Sequence, residues 1–155
     1  NFDCNSPNMR FYWSDEDQML RYALVDLDLG MYTLETWEIP FQYQYEYNRL
    51  VEQLMKNPDF KEKLCRKLKE VLEGPMSDEA VLRRIDALAD ELRPEIGRDV
   101  DRWEGGRNEW DALVQDTKNF VNAVEGGRAA YMIESLRLGK YITREEMNAW
   151  FGDLL

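Results

Sequence analysis

From about residue 43 onward, apolar residues recur at helical spacing, and the interruptions are prolines and glycines. This pattern restricts the chain to a fold dominated by packed amphipathic helices. Tyr47, Leu50, Val51 and Leu54 form one stripe, on a helix predicted from about Tyr43 to Met55. Asn57-Pro58 interrupts it, because the residue before proline is biased away from helix. Pro58 then suits the first turn of a second helix through Phe60, Leu64, Leu68, Val71 and Leu72. Gly74-Pro75 stops that helix. Ser77 is a predicted N-cap, with Asp78 and Glu79 next to the positive end. Val81, Ile85, Leu88 and Leu92 follow. Pro94 and Gly97 divide this third helix from a short continuation through Ile96, Val100 and Trp103. Gly105-Gly106 and Gly126-Gly127 bracket a further helix that begins near Trp110. Tyr131 to Leu138 give another, and Thr143 with Glu146 forms a capping box for a terminal helix.

Residues 1–42 differ. Met9-Arg10-Phe11-Tyr12-Trp13 and Leu20-Arg21-Tyr22-Ala23-Leu24-Val25 are rich in strand formers. The polar run Ser14-Asp15-Glu16-Asp17-Gln18 separates them, which predicts a β-hairpin with a longer loop. The expected fold is therefore α+β and predominantly helical. A short N-terminal hairpin packs on a helical bundle in a single domain spanning residues 1–155. The helical stripes place Leu50, Leu54, Leu64, Leu68, Leu88, Trp110 and Phe120 in the core.

Composition excludes several chemistries. The chain has no histidine, so Ser-His-Asp triads and histidine zinc sites cannot be built from it. Its two cysteines, Cys4 and Cys65, supply neither a four-ligand zinc site nor a disulfide framework. Cys65 sits in an apolar stripe and reads as a small core residue. No run reaches the roughly 20 apolar residues of a membrane span. The net charge of −11 argues against non-specific nucleic-acid binding. The N-terminus has neither an initiator Met nor the features of a signal peptide, so the chain reads as a piece of something longer.

The acids around the hairpin stand apart from the solvated helix faces. Asp3 and Asn8 precede it, and Asp26 and Asp28 follow it. Their oxygens are hard ligands of the kind Mg²⁺ or Mn²⁺ takes. The competing reading makes Asp3 and Asn8 turn residues and Asp26 and Asp28 loop acids. Spacing favours the first reading. Asp3-Cys4-Asn5-Ser6-Pro7-Asn8 has the D-x-x-x-x-N form of a protein-kinase catalytic loop. After the hairpin, Asp28-Leu29-Gly30 reads as a variant of the metal-binding Asp-Phe-Gly segment.

These residues resemble the CotH kinase family, atypical kinases related to spore coat protein H. The resemblance lies in Asn1-Phe2-Asp3, Pro7 to Trp13 and Ala23 to Tyr32. It continues in Leu54 to Phe60, Ile85 to Ala89, and Leu92 to Ile96 with Arg102-Trp103. It implies the C-lobe of a CotH-like protein kinase, which phosphorylates Ser or Thr hydroxyls of a protein substrate. Asp3 would be the catalytic-loop aspartate that orients the acceptor hydroxyl. Asn8 with Asp26 or Asp28 would hold Mg²⁺ or Mn²⁺ and ATP. Residues 1–42 would carry these motifs, and residues 43–155 would form a helical substrate platform. No Gly-x-Gly-x-x-Gly loop occurs, so an upstream N-lobe is the implied partner and the segment alone is expected to be inactive. Spore-coat or extracellular location is implied by the resemblance alone. A helical interaction module without chemistry, or a pseudokinase remnant, is the alternative.

Overall fold

The computed structural model describes residues 9–25, 49–103, 109–124 and 126–155. Within them, strands β1 (Met9–Ser14) and β2 (Met19–Leu24) precede six α-helices. These are α1 (Arg49–Leu54), α2 (Pro58–Glu73), α3 (Asp78–Trp103), α4 (Trp110–Val121), α5 (Arg128–Leu138) and α6 (Arg144–Phe151). A 3₁₀ turn at Gly152–Leu154 follows. The architecture is α+β and predominantly helical, as the periodicity predicts. No described helix is long and apolar enough to cross a membrane.

Local chemistry sets the helix starts. Asn57 Oδ1 accepts hydrogen bonds from the backbone N–H groups of Asp59 (3.0 Å) and Phe60 (3.3 Å), with Pro58 in the first turn of α2. Ser77 Oγ accepts from Ala80 N–H, which caps α3. At α6 the capping box is complete. Glu146 N–H donates to Thr143 Oγ1 at 3.1 Å, and Thr143 N–H donates to Glu146 Oε2 at 2.8 Å. Helix α5 ends in a Schellman turn, with Tyr141 N–H donating to the Leu136 carbonyl. Lys140 adopts the left-handed φ of 62° that glycine usually takes in such a turn.

Helix α3 runs through Pro94 and Gly97, where the sequence predicts a break. An interior proline costs about 3 kcal/mol through its missing N–H and ring clash. The helix nonetheless continues past it: Val100, beyond the proline, is buried, and Arg93 reaches Asp111 of α4 at 2.6 Å. Gly97 is exposed, and a Cβ there would meet no atom within 4 Å. Gly97→Ala should therefore stabilise the fold by about 0.5–1 kcal/mol by lowering unfolded-chain entropy. A shift of the urea midpoint to higher concentration at constant slope would show it; a lower midpoint would count against it.

The main core joins α1, α2, α5 and α6. Met55, Cys65, Leu72, Ile133, Leu136, Ile142, Met147 and Phe151 form one buried cluster. Leu64 and Leu68 pack against it, as predicted. Two predicted core residues do not: Leu54 is 36% exposed and Leu88 is 38% exposed. Trp110 and Phe120 are half-buried. The side chain of Leu50 lies outside the described residues. The reason for the Leu88 miss is orientation. Helix α3 buries Ala89 and Val100, and Arg93 meets α4, which leaves Leu88 and Leu92 on an open flank.

Candidate functional site

The hairpin is the element around which the sequence motifs are arranged. Its strands pair antiparallel, with Met9 opposite Leu24, Phe11 opposite Tyr22 and Trp13 opposite Leu20. Residues 15–18 close it. Gln18 takes a left-handed φ of 56°, and its Nε2 donates to the Asp15 carbonyl at 3.0 Å. Asp17 and Arg21 form an ion pair beside the turn. The turn therefore lies at one end, and the chain enters and leaves at the other, where Met9 and Leu24 are paired. Phe11, Trp13 and Leu20 share one side of the ribbon, because facing residues and alternate residues lie on the same side. All three are exposed.

The three acids and one amide singled out from the sequence, Asp3, Asp26, Asp28 and Asn8, lie outside the described residues. Among the described residues, no group of three or more Cys, Asp or Glu side chains is placed to hold a metal ion. The charged side chains of the helices mostly pair with near neighbours, as in Arg83–Glu79 and Arg98–Glu95. Such exposed pairs contribute little to stability and describe a solvated surface.

Cys65 is fully buried in the main core. Burial pushes its thiol up to about 11, Glu146 adds to the rise, and Lys61 opposes it. A thiol held protonated in this way is a packing residue rather than a nucleophile. In a Cys4→Ser background, Cys65 should react with a disulfide reagent at pH 8 only as fast as the protein opens. Rapid labelling under native conditions would contradict that placement. Nearby, Lys61 pairs with Glu146 at 2.5 Å and lies 6.0 Å from the Trp150 ring centre. Burial raises the Glu146 carboxyl, but hydrogen bonds from Lys61 and Thr143 prevail and hold it below the usual carboxylate range.

One feature was not visible in the sequence. A shallow depression of about 260 Å³ lies between the C-terminal ends of α1 and α5. Glu52, Lys56, Lys140 and Tyr141 line it, over Met55 and Gly139. Burial first, and then Glu52, raise the Tyr141 phenol. Its lining residues come from segments about 85 positions apart, so no local motif announces it.

The described fold is thus an α+β unit, mostly helical, that begins with an antiparallel hairpin. Residues 1–127 match the family described as CotH kinase protein. The chain belongs to that family, and its domain is kinase-related. No curated protein and no solved structure matches the chain. The family match ends at Gly127, immediately before α5.

Proposed function

We propose that this domain supplies the acidic half of a phosphoryl-transfer site, as the C-lobe of a CotH-like protein kinase. One observation supports the reading most: the hairpin pairs Met9 with Leu24. Asn8 is one residue before that pair, and Asp26 is two residues after its partner. Both therefore adjoin the same end of the hairpin in sequence. The family match spans both flanks.

In this reading Asp3 orients the acceptor hydroxyl of a protein Ser or Thr. Asn8, with Asp26 or Asp28, holds Mg²⁺ or Mn²⁺ against the phosphates of ATP. Aspartate and asparagine oxygens are the donor set these ions take. Phosphoryl transfer depends on positioning and charge neutralisation, so the absence of histidine is no obstacle. The glycine-rich phosphate cradle, absent from these 155 residues, would come from an N-lobe in another segment. The 155-residue chain alone is then expected to turn over ATP poorly or not at all.

The test is Mn²⁺ binding, followed through the loss of the free-ion EPR signal. The wild-type chain should bind one ion. The Asp26→Asn, Asp28→Asn double variant should bind at least about tenfold more weakly, the scale expected when a hard-ion site loses carboxylate charge. Its circular dichroism should be unchanged. Equal binding by both proteins would overturn the reading.

A second reading, a helical interaction module, draws on exposed leucines of α3 and α4, namely Leu88, Leu92 and Leu113. Retained Mn²⁺ binding in the double variant would favour it.

A further inference from the structure

Helices α3 and α4 form a unit inserted between α2 and α5. Two ion pairs bridge them, Arg93–Asp111 at 2.6 Å and Lys118–Asp86. Their buried residues, Ala89, Val100 and Val121, do not belong to the cluster that joins α1, α2, α5 and α6. The chain crosses from the core to this pair through residues 74–77, beginning with Gly74 and Pro75. It returns through Gly126 and Gly127, both at positive φ (84° and 91°), a conformation that other residues rarely adopt.

One side chain spans both crossings. Arg128, the first residue of α5, is 4% exposed. Its Nε donates to Asp78 Oδ1 at 3.0 Å, at the start of α3, and its Nη2 donates to the Met76 carbonyl. A buried guanidinium is retained only where its donors are met, so these bonds fix the outgoing crossing against the returning one.

We propose that α3–α4 is an arm that moves as a body about the two crossings, and that Arg128 is the latch that holds it in the observed orientation. The inference does not depend on the phosphoryl-transfer reading. Separate packing of arm and core makes the crossings the place where sub-global opening requires the least disruption.

Hydrogen–deuterium exchange of the whole chain tests this, comparing wild type with Arg128→Gln and Asp78→Ala. The reporters are Met76 N–H, bonded to the Val71 carbonyl, Ser77 N–H, bonded to Gly74, and Gly127 N–H, bonded to Val124. With the latch cut, these amides should exchange about tenfold faster, while the interiors of α2, α3, α4 and α5 keep their protection. A uniform loss of protection would overturn the proposal by showing one cooperative unit. Unchanged exchange at the crossings would overturn it as well. Asp78 is partly exposed, so Asp78→Ala, which removes the acceptor, keeps the test decisive where Arg128→Gln fails to fold.

Discussion

Removing residues 128–155 should abolish cooperative folding of what remains. The family match ends at Gly127, yet the main core is built from both sides of that point. Met55, Cys65 and Leu72 come from before it. Ile133, Leu136, Ile142, Met147 and Phe151 come from after it. Each fully buried side chain of this size contributes about 1.5–3 kcal/mol by leaving water. Five of them together rival the whole net stability of a domain, about 5–15 kcal/mol. Truncation would also expose the apolar stripe of α2 along its length, including Phe60, Leu64 and Leu68. The latch from Arg128 to Asp78 would be lost too. The measurement is a circular-dichroism melt of residues 1–127 beside the full chain. A broad, non-cooperative melt is expected. A sharp transition near that of the full chain would show that the matched segment folds without its C-terminal helices.

The largest single-residue effect should fall at Phe151. Its side chain is fully buried at the end of α6, in the cluster with Ile133, Leu136 and Met147. Phe151→Ala removes a ring that the surrounding helices cannot fully close over, at a cost of about 3–5 kcal/mol. Leu113→Ala is the matched control. That leucine is 57% exposed, so its truncation should change stability by no more than about 0.5 kcal/mol. Urea denaturation of both variants reads the difference directly. If Phe151→Ala costs less than about 1 kcal/mol, the C-terminal core does not have the described packing. Equal losses at the two sites would show that exposure does not rank residues here.

The candidate site was legible to a different degree from the fold. The D-x-x-x-x-N run at Asp3–Asn8, the acids Asp26 and Asp28, and the hairpin between them are a linear pattern. The family match over residues 1–127 bears out the resemblance that rests on that pattern. Asp3, Asn8, Asp26 and Asp28 themselves lie outside the described residues. The depression beside Tyr141 and the Arg128 latch could not be read in advance. Each joins segments 50 or more positions apart.

What the sequence by itself determined is what neighbouring residues decide. Asn57-Pro58, Ser77 and Thr143 with Glu146 begin helices because their side chains satisfy backbone N–H groups two or three residues away. The hairpin follows from strand formers on either side of a polar turn. Periodicity also gives each helix an apolar stripe, but it does not say which edge of that stripe meets a neighbour. Only tertiary structure chose Ala89 and Val100 over Leu88 on α3, and carried that helix through Pro94. It alone chose the α5 and α6 residues that cover Cys65, which its apolar stripe already marks as a core residue. Burial depends on how distant elements pack, and that information is spread over the whole chain rather than held in any short window.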